Sequence, residues 1–325
     1  MAAKVTPPDL SHPLVHEPPQ ANPPEPTTSL GPLEHLVGTW TNQSLSRGGK
    51  GGPDNPYSYN LMPLPQSQPY SPYGYILKNF SYYEEITFTA IHGTAPNRGG
   101  LGTQVANTLF YEQRVYFAEG PDKDKLVHAE NGSWLYMTGK QQNIGPYGPA
   151  VEPSSRAPQT VYNLVKQISV PHGNSILAGG RYVAPGPAYG APTIPPAPYT
   201  FPSGVNTSPY LTKLDNPSDY QNPNVAYTKN PNAPLVEAIL ADPPSSYIEL
   251  AVDTNLPGYA VTNIPFEQKH AAVDRYFANY WLESFDAGRT YTQLQYSQTI
   301  LMLFNLQGVG QVVFPHVTTN TMRKL

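Results

Sequence analysis

Most of this chain consists of segments rich in β-branched and aromatic residues, and turns containing Gly or Pro separate them. The segments follow one another at the spacing of β-hairpins, without helices between them. An antiparallel sheet of this kind leaves exposed edges unless it closes on itself. The sequence therefore predicts an all-β protein, an antiparallel closed β-barrel of about ten strands, as a domain over residues 30–325. The predicted strands include 82–92, 105–117, 126–137, 160–170, 175–183, 247–252, 259–264 and 291–304.

A short helical turn is predicted just before the first strand of this domain. Leu33, Leu36 and Val37 fall at helical spacing, and Gly38 ends the turn before a strand begins near Trp40. A short helix that leads into a strand in this way can plug the floor of a small closed barrel.

Two regions depart from the strand pattern. Residues 1–29 are dense in proline, which blocks both helices and sheet ladders, so they are predicted to form an extended or disordered arm. Residues 184–245 are rich in Pro, Tyr, Asn and Ser, with one helical candidate at 235–241, and are interpreted as a long insertion. The insertion is predicted to cover one rim of the barrel or to act as a dimerisation arm. The N-terminal arm is predicted to wrap a neighbour in a homodimer.

The segment 270–285 fits two structures. Val273, Tyr276, Phe277, Tyr280 and Trp281 match one face of a helix, whereas β-forming residues dominate and no N-cap precedes them. Both interpretations stay open at this stage.

Composition excludes several classes of function. The chain has no cysteine, which rules out disulfides, thiolate catalysis and cysteine zinc sites. A net charge of -4 and the lack of a basic patch argue against nucleic acid as a partner. No apolar run of about twenty residues is present, so no membrane span is predicted and the expected location is cytoplasmic.

One histidine lies in the last predicted strand, 311–325. His316 is surrounded by strand-forming residues, and Pro315 before it removes one ladder hydrogen bond, which predicts a sheet edge or a bulge at this point. A histidine held in this way can present its imidazole to the inside of a barrel. The structural alternative is that it hydrogen-bonds a neighbour and carries no chemistry.

Other titratable side chains lie in or beside predicted strands. His92, His128 and His172 are candidate catalytic residues. His128 and Glu130 share a strand face because they are two residues apart, so the carboxylate can orient the imidazole or the pair can satisfy a buried polar site. The adjacent carboxylates of residues 84 and 85 point to opposite faces, so that either one points inward or both are solvated.

Four segments in order resemble a known family. They are LEHLVGTW at 33–40, YEE at 83–85, LVHAENGSW at 126–134 and PHVT at 315–318. Together they resemble the nitrobindin-like haem-binding β-barrels, which are related in fold to fatty-acid-binding proteins and lipocalins. Within that family the chain is most similar to larger bacterial and fungal relatives described as haem-binding or peroxidase-like proteins.

The resemblance implies a ten-stranded barrel that holds a b-type haem (haem b) at its mouth. It further implies His316 as the proximal iron ligand and Trp40 and Trp134 as cofactor-binding residues. Nitrobindins bind nitric oxide at ferrous iron and isomerise peroxynitrite to nitrate at ferric iron. The long insertion and the extra histidines, His92 and His172, depart from that pattern and leave peroxide chemistry open.

Two alternatives use the same barrel without iron. The first is a non-enzymatic carrier of an apolar small molecule. The second is a cofactor-free isomerase or cyclase, with Glu85 or His128 as the acid or base in the barrel.

Overall fold

The structure is a computed structural model that describes residues 30–43, 57–65, 75–96, 105–118, 122–138, 163–184, 190–197, 227, 229–306 and 310–325. The strands of this part of the chain are β1 Gly38–Thr41, β2 Ser58–Pro65, β3 Tyr75–Phe80, β4 Tyr82–Pro96, β5 Val105–Phe117, β6 Leu126–Thr138, β7 Leu164–Val170, β8 Asn174–Val183, β9 Ser246–Asp253, β10 Ala260–Asn263, β11 Ala272–Ser284, β12 Gln293–Leu306 and β13 Gly310–Lys324. The helices are a 3₁₀ helix at Gly31–Leu36, α1 at Ala233–Ala241 and α2 at Pro265–His270.

Ten of these strands form a closed antiparallel barrel, in the order β1-β4-β5-β6-β7-β8-β9-β11-β12-β13. The barrel closes where β13 pairs with β1, at Trp40 opposite Lys324 and Thr41 opposite Arg323. The hairpin β2–β3 adds to the free part of β13, and β10 pairs with β8. The predicted all-β closed barrel of about ten strands is therefore confirmed.

The ambiguous segment is a strand, β11. Tyr276, Ala278, Tyr280 and Leu282 alternate along it and belong to the main core inside the barrel. Trp281 points to the opposite, outer face and is also buried, because Leu235 and Ile239 pack on it. A strand covered on both faces loses the simple alternation of apolar and polar residues, which explains its helix-like sequence pattern.

The 3₁₀ helix closes one end of the barrel, as predicted, and this end is called the floor here. Leu33 and Leu36 are fully buried in the main core. Trp40 donates a hydrogen bond from Nε1 to the Leu36 carbonyl oxygen at 2.6 Å, which ties the helix to the closing strand. Lys324 Nζ donates to the His35 carbonyl oxygen at 3.1 Å from the other side of the seam.

The described part of the insertion lies against the outer wall of the barrel. Helix α1 confirms the helical candidate at 235–241, and its residues Leu235 and Ile239 pack with Ile194 against Trp281. Residues 1–29, 185–189 and 198–226 lie outside the described residues, so the predictions for the arm, the rim and the homodimer stay predictions. In the part of the chain that the structure describes, no helix is both long enough and apolar enough to cross a membrane.

Replacement of a floor leucine is expected to destabilise the whole barrel. Leu36→Ala removes a fully buried side chain and leaves a cavity, which costs about 2–5 kcal/mol of unfolding free energy. Urea denaturation followed by tryptophan fluorescence measures the loss. The control is Leu240→Ala on α1, where the side chain is 77% exposed and the expected change is below about 0.5 kcal/mol. Equal losses in the two variants would contradict the role of the 3₁₀ helix as a plug.

Candidate functional site

His316 lies inside the barrel near the end opposite the floor, which is called the mouth here. It pairs with Ile300 of β12, and Asn320 and Met322 share its face of β13. Met322 belongs to the main core, which places this face inside. His316 lies eight positions from Lys324 at the floor, which is about 26 Å along the strand at 3.3 Å per residue.

Pro315 lies at a local sheet edge, without a bulge. Thr321 N donates to Tyr57 O on the side of β13 that faces β2, and Lys324 N donates to Thr292 O on the side that faces β12. Odd-numbered residues of β13 therefore point their amides away from β12. The pairing with β2 begins two residues after Pro315, and the register with β12 runs through it without a shift. The amide hydrogen that Pro315 lacks would point away from β12, so the proline removes no hydrogen bond between β13 and β12. The pairing with β12 therefore holds His316 in place.

The imidazole of His316 is neutral and has an unused nitrogen. The residue is half-buried, and its Nε2 atom is fully buried without a hydrogen-bond partner. The pKa of His316 is lowered to about 4, mainly by loss of hydration; a positive charge on His128 acts in the same direction, and Glu130 acts in the opposite direction. A neutral imidazole with a free nitrogen is the form that binds a metal.

His128 and Glu130 form a pair on the inner face of β6. His128 Nε2 lies 3.3 Å from Glu130 Oε2, and Tyr111 donates from its hydroxyl to Glu130 Oε1 at 2.9 Å. Burial acts to raise the pKa of Glu130, but the hydrogen bond from His128 and the charge on Lys166 lower it overall. In the tautomer that carries its proton on Nε2, His128 donates a hydrogen bond to Glu130, and Nδ1 is then the acceptor nitrogen of the ring.

The structure brings three of the four candidate histidines to the mouth. His172 is exposed on the turn between β7 and β8, and its ring centroid lies 5.9 Å from that of His128. A charge on His128 lowers the pKa of His316, so these two side chains are close enough to interact electrostatically. His92 is exposed on β4, four residues beyond Phe88, which pairs with Gly38 at the floor. It therefore lies at the other end of the barrel.

The two predicted tryptophans lie deeper than His316. Trp40 is fully buried in the floor, next to Lys324 of β13. Trp134 lies on the inner face of β6 with its ring centroid 5.2 Å from that of Tyr280. Both belong to the main core, and their prediction as cofactor-binding residues stays a prediction.

A buried lysine at the centre of the barrel was missed by the sequence interpretation. Lys166 is 1% exposed and donates from Nζ to the hydroxyls of Tyr276 at 3.0 Å and Tyr280 at 2.6 Å. Four aromatic rings surround its ammonium group at 4.9 to 5.6 Å, those of Tyr111, Trp134, Tyr276 and Tyr280. One sequence signal could have indicated that Lys166 points inward. It alternates with the apolar Leu164 and Ile168, so all three side chains share one face of β7.

A second buried polar group lies on the inner face of β4, where one of the adjacent carboxylates of residues 84 and 85 was expected as one alternative. Glu84 Oε2 accepts a short hydrogen bond from the Tyr296 hydroxyl and one from Asn320 Nδ2 at 2.7 Å. The Tyr82 and Tyr296 hydroxyls are 2.9 Å apart. Burial raises the pKa of Glu84 to about 7, although the hydrogen bonds from Tyr296 and Asn320 act to lower it.

Glu85, the carboxylate named for the cofactor-free alternative, points the other way. Its side chain is 43% exposed and lies 3.5 Å from Arg114 on the outer surface. Successive residues of a strand face opposite sides, and Glu84 takes the inner one. The hypothesis of Glu85 as an acid or base in the barrel is therefore wrong, and the inward carboxylate is Glu84.

Among the described residues, no group of three or more His, Asp or Glu side chains is placed to hold a bare metal ion. A haem iron needs a single protein ligand on its proximal side, and the unpartnered Nε2 of His316 fits that requirement. The residues present therefore fit a histidine-ligated haem at the level of the iron ligand.

Comparison with known proteins finds similar solved structures, and one of them is described here. No family model matches the chain, and no curated protein sequence matches it. The crystal structure of Rv2717c from M. tuberculosis is similar over 90% of this chain and 95% of that chain, with 13% sequence identity and a TM-score of 0.38. A likeness at that level supports no inference about the activity or ligand of this chain.

Glu84 is expected to give the protein a characteristic pH dependence of stability. Its pKa is about 7 in the folded state against an ordinary value of 4.5, so the folded state binds the proton more tightly. The resulting stabilisation is complete below pH 4.5 and is lost as the pH rises to about 7, a change on the order of 3 kcal/mol. Glu84→Gln removes this contribution, so the stability of wild type relative to the variant should fall across that window.

Urea denaturation of both proteins at intervals from pH 4.5 to pH 8 measures the difference. Glu85→Gln, from the outer face of the same strand, is the matched control for the chemical change. A difference between wild type and Glu84→Gln that stays constant with pH would contradict the burial of an ionisable Glu84.

Proposed function

We propose that this chain is a haem-binding β-barrel protein that holds haem b at its mouth through His316 and acts on peroxynitrite, peroxide or nitric oxide. The observation that carries the proposal is the buried, unpartnered Nε2 of His316 on the inner face of a closed barrel. A buried polar atom without a partner is costly, and a ligand to that atom removes the cost.

The strand that carries His316 suits the role of an iron ligand. Its pairing with Ile300 of β12 fixes the backbone, and burial keeps the ring neutral at pH 7. The buried aliphatic side chains of Ile168 on β7 and Ile176 on β8 are paired with each other and lie at the mouth. When bound, haem iron supplies the site at which a diatomic or peroxide ligand binds.

The pair of His128 and Glu130 suits proton transfer beside such a ligand. Glu130 Oε2 accepts a hydrogen bond from His128 Nε2, and Glu130 Oε1 accepts one from the Tyr111 hydroxyl. If haem were bound at His316, His128 Nδ1 would be the atom to take a proton from a hydroperoxide and to return it to the leaving oxygen. His172, 5.9 Å away between ring centroids, is exposed to solvent and can exchange that proton with water.

A second candidate is a cofactor-free isomerase or cyclase, and the same hydrogen-bonded pair favours it. His128 oriented by Glu130 is an acid–base pair whether or not iron is present. The carrier alternative has weaker support, because buried aromatic rings and Lys166 fill the described centre of the barrel. Purified protein that retains a lipid and takes up no haem would favour the carrier.

His316→Ala is expected to abolish haem binding, because it removes the nitrogen that ligates iron. Titration of the purified protein with haemin should give a shifted Soret band for wild type and the spectrum of free haemin for the variant. The control is His92→Ala, which removes an exposed histidine at the other end of the barrel and should bind as wild type does. Wild-type protein that leaves the haemin spectrum unchanged, or His316→Ala that binds equally well, would overturn the proposal.

His128→Gln is expected to slow the reaction of the haem-loaded protein with hydrogen peroxide by about 10²–10⁴-fold, because a glutamine cannot take up the proton. Haem occupancy should stay unchanged, since the iron ligand is His316. Stopped-flow absorption spectroscopy measures the rate. Glu130→Gln should give a smaller loss, and an unchanged rate in His128→Gln would show that His128 takes no part in proton transfer.

A further inference from the structure

We infer that the barrel interior holds a redox-active tyrosine, Tyr296, which gives one electron to an oxidant at the mouth and its hydroxyl proton to Glu84. The inference deepens the proposed function and rests on it only for the identity of the oxidant, a hydroperoxide acting at the haem site. The activity would be one-electron chemistry, with the oxidising equivalent held on a buried ring.

A chain of buried aromatic rings connects the interior. The ring of Trp134 lies 5.2 Å from that of Tyr280, and Tyr280 stacks on Tyr296 at 5.4 Å with 29° between the planes. Tyr296 and Tyr82 then share a hydrogen bond of 2.9 Å between their hydroxyls. Rings this close exchange an electron readily, because their π systems are separated by little more than van der Waals contact.

The mouth lies within short reach of this chain. Tyr296 pairs with Asn320, which lies four residues along β13 from His316, or about 13 Å at 3.3 Å per residue. Tyr276 lies closer, because it pairs with Ile300, the residue opposite His316. An oxidant held by His316 is therefore near both Tyr276 and Tyr296.

The surrounding charges select Tyr296 over the tyrosines next to the lysine. Tyr276 and Tyr280 both accept hydrogen bonds from Lys166 Nζ, and a neighbouring positive charge disfavours the loss of an electron. Tyr296 donates its hydroxyl proton to Glu84 Oε2, an oxygen that can accept that proton completely. Burial raises the pKa of Glu84 to about 7, so its carboxylate is a stronger base than an ordinary one.

The step balances in electrons and protons. The oxidant takes one electron from Tyr296, the O–H bond breaks, and the proton forms an O–H bond with Glu84 Oε2. The products are a neutral tyrosyl radical, a protonated Glu84 and an oxidant reduced by one electron. Return of an electron to Tyr296 moves the proton back, so the cycle ends with the starting charges: a neutral Tyr296 and an ionised Glu84.

The experiment uses the full chain without haem and an external oxidant, so its result does not depend on haem binding. A flash-generated ruthenium(III) polypyridyl complex oxidises the protein, and electron paramagnetic resonance of frozen samples measures the tyrosyl radical. Tyr296→Phe is expected to remove at least half of the wild-type signal, and Glu84→Gln should remove a similar share. The control is Tyr182→Phe, an interior tyrosine whose phenol pairs with Tyr136, and it should keep the wild-type signal.

A wild-type signal that Tyr296→Phe leaves unchanged would overturn the inference. If Glu84→Gln does not fold, electron–nuclear double resonance of the wild-type radical in D₂O replaces it. The expected result is one strongly coupled exchangeable deuteron on the tyrosyl oxygen, donated by the protonated Glu84, and its absence would also overturn the inference. Radical formation with ruthenium but none with haem and hydrogen peroxide would refute the haem oxidant while leaving Tyr296 redox-active.

Discussion

The seam between β1 and β13 is the contact on which the rest of the structure depends. β1 has four residues and pairs with β13 at two positions, Trp40–Lys324 and Thr41–Arg323. So short a pairing is weak alone, and two further hydrogen bonds reinforce it. Trp40 Nε1 donates to the Leu36 carbonyl oxygen, and Leu325 N donates to the Thr39 carbonyl oxygen. Closure removes the sheet edges at this seam and gives all ten strands one shared interior.

That interior holds more charge than a simple apolar core. Glu84, Glu130 and Lys166 are all buried, and the lysine charge acts to lower the pKa of both carboxyl groups. Buried charges cost free energy of desolvation, which pairing seldom returns in full. Tyrosine hydroxyls limit the cost, because each of the three groups has at least one as a hydrogen-bond partner. This arrangement supports the proposed role of the interior in proton and electron transfer.

His316 differs from these groups because its buried Nε2 makes no hydrogen bond, whereas each of the three groups has a tyrosine hydroxyl as a partner. On the described inner face of β6, His128 and Glu130 form a hydrogen-bonded set with Tyr111. One imidazole held rigid and unsatisfied beside a second one oriented by a carboxylate is the division of roles that a proximal ligand and a proton acceptor require. The two functions proposed for the barrel differ in the role of His316. It ligates iron in the haem protein and has no catalytic role in the cofactor-free enzyme.

Much of the fold was predictable, because the period of two along a strand and the Gly and Pro turns are local signals. They located the strands, the helical plug before Trp40 and helix α1, and they placed His128 and Glu130 on one face. Short elements that depend on contacts made elsewhere were missed: α2 has no buried residue and no N-cap hydrogen bond, and β3 forms on the edge of β2. The helix-like pattern of β11 arose for a similar reason, because the insertion covers its outer face.

The sequence by itself determined that the chain is a closed β-barrel, because its alternating strands without intervening helices have few other ways to bury one face and protect their edges. The tertiary structure decided which polar residues meet inside. Lys166, Glu84 and His316 lie on three different strands and are 82 to 232 positions apart in sequence. Only the strand order and register set their neighbours, so Glu84 faces Tyr296 and Lys166 faces Tyr280, and His316 Nε2 is left unpartnered.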